Sequence, residues 1–356
     1  IKECDWSSDV CSSDLMSALV AASTRGSRIG GWIMLAVLCG LVAAPFFASS
    51  ADLNLLSQMF YYLALATLWN LLAGFSGLVS VGQHAWVGLG GYCLFALTIF
   101  AGLNPLAAIF VAGVIGAVLA LPVAGLLFRL RGSYFAIGSW VVAEVMRLLA
   151  SQVSALGGGS GTSLPVRVVT SMASSRQERE FLIYWTSLAL AVVIVGLTIW
   201  LLRSRWGLSL RAIHANEHTA ASNGVETTKT RLVAYVLAAF GTAMLGALIF
   251  LQKLRISPDA AFSVNDWTAF VIFITVIGGV GRIEGPFIGV VVFFVLRQTL
   301  ADLGAIYLIM LGVVAIAVML FAPQGVWGLI AEKWGLEIAP LQRRVIHAKG
   351  EPASKE

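Results

Sequence analysis

Ten apolar stretches near membrane-crossing length, with the charge held almost wholly between them, leave this chain few folds to choose from. They run roughly over 29–49, 53–73, 85–102, 105–128, 133–150, 181–202, 232–252, 266–281, 286–303 and 305–322. A helix needs about 20 apolar residues to cross a bilayer. Inside the hydrocarbon every backbone polar group must be satisfied within the segment, which favours helices. Charged residues are 12% of the 356 and apolar ones 59%, against about 25% charged in a soluble domain. Mean hydropathy is +0.89. The expected class is an all-α polytopic membrane protein with about ten transmembrane helices.

Charge between the stretches gives the topology. Residues 203–231, RSRWGLSLRAIHANEHTAASNGVETTKTR, hold Arg203, Arg205, Arg211, Lys229 and Arg231 against Glu217 and Glu226. Basic connections stay on the cytoplasmic side. With this loop inside and the spans alternating, fifteen Lys and Arg fall on inside segments. Five (Arg167, Arg176, Arg179, Lys253 and Arg255) fall outside. Both termini are then cytoplasmic. The net charge of +5 sets topology and meets anionic headgroups of membrane lipid. It does not form a nucleic-acid surface, because no basic face or aromatic platform accompanies it.

Residues 1–15, IKECDWSSDVCSSDL, precede Met16, differ in character from everything after them, and read as a non-native prefix; the other reading is a soluble arm. A cytoplasmic segment follows at 16–28, then the transmembrane domain at 29–330 and a cytoplasmic tail at 331–356. The 29–49 stretch is long for a signal-peptide core and reads as the first span. Cys4, Cys11, Cys39 and Cys93 have no metal-ligand spacing and imply no disulfide framework.

Two regions depart from plain helix. Residues 74–92, GFSGLVSVGQHAWVGLGGY, are rich in glycine and lack carboxylates, Lys and Arg. Irregular backbone at membrane depth survives only where protein or a water path covers it. The segment reads as a broken or re-entrant element lining a translocation path; the competing and compatible reading is close packing of small residues. Residues 151–180 form the longest outside loop, with GGGSGTS at 157–163, and either meet an external partner or serve as a solvated connector.

Chemistry is sparse. GGGSGTS lacks the following Lys-Ser/Thr of a phosphate-binding loop, and no zinc-protease or nucleophile-elbow motif is present. The expectation is a transporter component rather than an enzyme, with no metal and no cofactor of its own. Glu144 and Arg147 are the expected exceptions to a charge-free interior. Three apart on one helix, they form either a functional pair or a structural latch. So few buried carboxylates argue against a chain that couples transport to an ion gradient by itself. His84 either contacts the transported solute or is a satisfied hydrogen-bonding residue. His214 and His218 suit a polar docking face better than a metal. SLRAIHANEHTAASNGV has helical spacing and stops at Asn223-Gly224. Its small residues Ala220 and Ala221 suit a groove on a soluble partner, or it is a solvated helix.

Five segments together resemble the permease subunits of branched-chain amino-acid ABC importers, the LivM type, over about residues 30–330. The segment 74–92 is similar to the family's glycine-rich element, with Ser80, Gly82 and His84 at its core and Gly88, Gly90 and Tyr92 at its end. RGSYFAIGSWVVAEVMR at 131–147 and RWGLSLRAIHANEHTAASNGV at 205–225 resemble a span and the cytoplasmic coupling loop. GGVGRIEGPFIG at 278–289 and APQGVWGL at 322–329 match C-terminal signatures. His214 stands where the family usually has Arg, Ser222 where an acidic residue often follows, and His218 is unusual.

The resemblance implies the ABC importer permease fold in a bacterial inner membrane. It implies inward movement of leucine, isoleucine and valine by alternating access, driven by ATP and Mg used in partner subunits. Those partners would be a second permease (LivH type), two cytoplasmic ATP-binding subunits and a periplasmic substrate-binding protein. The translocation-path candidates are Gly74, Gly77, Ser80, Gly82, His84, Gly88, Gly90, Tyr92, Tyr134, Glu144 and Arg147. The ATPase-coupling candidates are Arg205, Gly207, Arg211, Glu217, Ala220, Ala221 and Gly224. The alternatives are a same-family permease for urea, short amides or other amino acids, and a self-sufficient secondary transporter.

Overall fold

The computed structural model describes residues 18–21, 37–173, 175–300, 306–322, 324–334 and 344–347. Among these, seven helices are long and apolar enough to cross a membrane, and two further apolar helices are shorter. In chain order, α1 spans Val37–Phe46. Next, α2 (Ser50–Asn70) runs on through a π-type turn at Leu71–Phe75. The bundle continues with α3 (Gln83–Ile99), α4 (Pro105–Leu127) and α5 (Ser133–Ser151). A short α6 (Val166–Met172) precedes α7 (Arg176–Arg203). Two short helices, α8 (Arg205–Ala215) and α9 (Glu217–Ser222), lead to α10 (Thr227–Lys253). The chain closes with α11 (Pro258–Ala261), a π-type turn at Asn265–Ala269, α12 (Phe270–Gly278), α13 (Gly285–Leu300), α14 (Ile306–Phe321) and α15 (Gly325–Trp334). This is the all-α polytopic fold expected.

Local signals start these helices where side chains can satisfy free amides. Ser49 and Asp52 form a capping box on α2, and Ser175 and Glu178 form another on α7. Asn104 accepts from the Leu106 amide at 2.9 Å beside Pro105 at the start of α4. The α7 box corrects the expected 151–180 loop: Arg176 and its neighbours are already helix, and α6 occupies part of what remains.

The core forms where α10 packs on α3 and α4, and α2 on α7. Gly90 of α3 and Gly246 of α10 bring two backbones together: a Cβ on either would overlap the main chain of Ala243 or Val87. Small residues permit such approach, so dispersion contacts replace the hydrophobic drive that a bilayer cannot supply. Tyr62, Phe250, Trp267 and Phe293 make a connected aromatic cluster nearby.

Two short antiparallel ladders join distant chain segments. Thr162 pairs with Ile256 and Ser163 with Arg255, on the face opposite the basic loop. Residues Ala18–Ala21 pair with Arg344–His347.

The glycine-rich segment divides in two. Helical hydrogen bonding fails only between Ser76 and Gly82, and from Gln83 onward Gly88, Gly90 and Gly91 lie in regular helix. The broken reading thus applies to the first half and the close-packing reading to the second. A second departure concerns the stretch 209–225, which is not one helix. Asn216 adopts an extended backbone (φ −159°, ψ 112°), and its side chain accepts from the Thr219 amide at 3.1 Å. Asn is a better N-cap than interior residue, and this local bond outcompetes continued helix. The stop at Asn223 and Gly224 is where expected, with Gly224 at φ +81°.

Candidate functional site

The break at 77–82 forms a seam between α2, α3 and α5. Trp69 Nε1 of α2 donates to the Ser80 carbonyl at 2.8 Å. The Val81 amide donates to Ser139 Oγ of α5 at 3.0 Å. Gln83 Nε2 donates to the Leu65 carbonyl at 3.0 Å. Gly82 lies so close to the Ser139 backbone that a side chain would overlap it. Irregular backbone at depth therefore has protein partners, as a low-dielectric surrounding requires.

His84 follows directly, 1% exposed, with its amide and Nδ1 both at Thr268 Oγ1, 3.3 and 2.9 Å away. His84, Gly88 and Tyr92 recur every four residues and share one face of α3. Phe262 packs against Gly88 and stacks on Tyr92 at 6.0 Å between centroids. The structure thus gathers Ser80, Gly82, His84, Gly88 and Tyr92 along the boundary of α3 with α5 and the 257–269 segment.

Glu144 and Arg147 meet at the far end of α5. Arg147 Nη2 lies 2.6 Å from Glu144 Oε1, and Nε lies 3.0 and 3.1 Å from the two carboxylate oxygens. Arg147 Nη1 also donates to Asp259 Oδ1 at 2.9 Å, which ties α5 to α11. The Arg147 side chain is 28% exposed and Glu144 44%. Around them α5 presents Trp140, Val141, Val145 and Leu148 outward. The interior is less charge-free than expected. Arg297 also lies within a span, its Nη1 3.3 Å from Gln58 Oε1 and its guanidinium over Phe294, and Asp266 lies in the turn ahead of α12. Lys253 stacks over Trp267 at 4.7 Å.

The remaining path candidates are scattered. Tyr134 is 73% exposed at the start of α5 and joins none of the others. Gly74 belongs to a separate junction. There Asn70 Oδ1 accepts from the Gly281 amide at 2.8 Å, and Nδ2 donates to the Arg282 carbonyl at 2.7 Å. Gly325 packs its backbone on Gly279 in the same junction, so the 278–289 and 322–329 motifs are one glycine knot.

On the basic-loop face, Gly77 (φ +71°) lies beside His214 of α8, so the membrane break and the loop are in contact. Arg211 donates to the carbonyls of Gly207 (3.3 Å) and Leu202 (3.2 Å), stitching the corner between α7 and α8. Gly207 is buried at that corner, against the Leu202 backbone. Glu217 Oε1 accepts from Arg231 Nη1 at 2.9 Å, tying α9 to α10. Arg205, Glu217, Ala221 and Gly224 are exposed, whereas Ala220 is buried. Sequence reasoning missed Ser139, Thr268, Asp259 and Asn70. Of these, Asn70 alone carried a signal, as a lone amide within an apolar run.

These features define a multi-pass membrane protein whose packed bundle meets a folded basic loop. Residues 52–323 match the family described as branched-chain amino acid transport system / permease component, and the chain belongs to that family. It is 26% identical over 314 residues to the high-affinity branched-chain amino acid transport system permease protein LivM of Salmonella typhimurium and to that of Escherichia coli, covering 82% of this chain and 73% of each relative. It is also 31% identical over 121 residues to the ribose import permease protein RbsC of Bacillus subtilis, covering 33% of this chain and 38% of that protein. No solved structure matches.

Proposed function

We propose that this chain is a membrane permease subunit of an ATP-driven importer for branched-chain amino acids, working in a bacterial inner membrane with both termini in the cytoplasm. The observation that carries this is the family match across 52–323, supported by likeness to the two LivM proteins. In this reading α8 and α9 receive the push of cytoplasmic ATP-binding subunits, which use ATP and Mg. A second permease of LivH type completes the path, and a periplasmic binding protein delivers solute to the opposite face. The contact of Gly77 with α8 supports this reading. It offers a short route from the loop to the seam at Ser80–His84. Arg205, Arg211, Glu217 and Gly224 belong to the coupling element, with Arg211 acting inside the chain by holding the α7–α8 corner.

The test is labelled leucine uptake into proteoliposomes that hold this chain with its second permease, ATP-binding subunits and binding protein. Uptake that needs both ATP and the binding protein supports the proposal. Uptake by this chain alone under an ion gradient overturns it. ATPase stimulation by a different solute, without leucine uptake, keeps the importer and replaces the substrate.

A further inference from the structure

A cavity of about 310 Å³ opens on the basic-loop face between the α4–α5 turn, α9 and the start of α10. Arg131 and Arg231 both line it, with Glu217 as the one carboxylate among the lining residues. Arg231 gives Nη1 to Glu217, but its Nε is buried without a hydrogen-bond partner. Two long helices also begin at the cavity. Their N-cap residues are Gly132 for α5 and Glu226 for α10, and neither makes a side-chain capping bond. At α5 the Tyr134 and Phe135 amides already donate to the Arg131 and Gly132 carbonyls, so the contribution of both helix starts is mainly the positive dipole end, which favours an oxyanion.

Leu78, Phe128 and Phe135 add apolar surface to the lining. Two cations, a single carboxylate and apolar side chains lining one cavity complement a carboxylate, an ammonium and an aliphatic side chain. We propose that this cavity binds the free amino acid on the cytoplasmic side. The ligand's carboxylate lies toward Arg131 and Arg231, its ammonium toward Glu217 and its side chain toward the two phenylalanines. The ligand's identity rests on the function proposed above. A phosphate would leave Glu217 and the apolar side chains without a role.

Occupation has a direction of effect. A carboxylate at Arg231 competes with Glu217, and that ion pair ties α9 to α10. Accumulated product therefore loosens the loop that receives the ATP-driven push and slows import.

The experiment uses the complex of both permeases and the ATP-binding subunits in nanodiscs, without binding protein, and tritiated leucine in equilibrium dialysis. Leucine binds the wild type, and Arg131→Ala weakens it at least tenfold. Isoamylamine, which lacks the carboxylate, does not compete, and 4-methyl-2-oxopentanoate, which lacks the ammonium, competes weakly. A photoreactive diazirine leucine labels the wild type within 127–136 or 214–232, which serves where Arg131→Ala does not assemble. Binding unchanged by Arg131→Ala, or labelling confined to other segments, overturns the inference. So does leucine binding that inorganic phosphate or phosphatidylglycerol abolishes, since the site is then one for phosphate. Normal ATP-driven leucine uptake without such binding removes the inference alone. Absence of leucine uptake in the complete assembly removes the functional reading on which it rests.

Discussion

Replacing Asn70 with Ala tests whether the glycine knot is held by a single amide. Asn70 is 2% exposed, and its side chain makes both bonds to the 279–284 turn, one accepted from Gly281 and one donated to Arg282. Truncation leaves a main-chain N–H and a C=O without partners in surroundings that admit little water. A buried polar group that loses its partner costs about 1–3 kcal/mol. Both groups are only part-buried, so the lower half of that range applies to each, roughly 2–4 kcal/mol together. Asn54→Ala on the same helix is the control. It also loses two bonds, but one is from the mobile side chain of Gln252 and the other is to an exposed carbonyl at Ser50; no main-chain group of a turn is left stranded, and the change should cost below about 1 kcal/mol. Reversible unfolding in mixed detergent micelles gives both values. A loss for Asn70→Ala no larger than for Asn54→Ala would refute the claim that this amide holds the knot.

Other outcomes follow from the same geometry. Glu217→Lys places a cation against Arg231 and should abolish ATP-driven uptake, while surface labelling shows normal insertion. Gly224→Val forces a β-branched residue into φ +81°, a strain of about 1–3 kcal/mol; uptake should fall with insertion intact, and normal uptake would remove the coupling role of this turn. Gly90→Leu drives a side chain into the Ala243 backbone, and the yield of folded protein in detergent should collapse. Arg147→Met strands Glu144, so the double change with Glu144→Gln should be more stable than Arg147→Met alone; equal thermal midpoints would show that the pair is solvated.

The helical class and the order of the apolar stretches were legible because the bilayer demands long apolar runs; the number was less so, since about ten spans were expected and seven helices among the described residues are long and apolar enough to cross, with two more that are shorter. The place where α3 begins was less legible. Glycine marks both a broken backbone and a close helix contact, and residues 74–92 contain the two in succession. The break at Asn216 left a local trace, an Asn three residues before Thr219, which the stronger helical periodicity around it masked. Ser139 and Thr268 could not be found from spacing. Serine and threonine are common in spans, and nothing local distinguishes one that receives a bond from a distant segment. Asp259 lies 112 residues from Arg147, and only the fold brings them together.

The attachments of α5 carry a mechanical consequence. Near one end it is pinned by the Ser139–Val81 bond and the close seat of Gly82. Near the other it is held by Arg147 on Asp259. Most of the helix between presents side chains outward. Both fastenings lie on the surface of the helix, so a tilt, a slide or a roll must break at least one of them. They are unequal: Ser139 is 3% exposed, whereas the Asp259 side chain that holds Arg147 is 83% exposed. An exposed ion pair contributes little against water, so this helix comes free first at its Arg147 end and swings about the seam at Ser139.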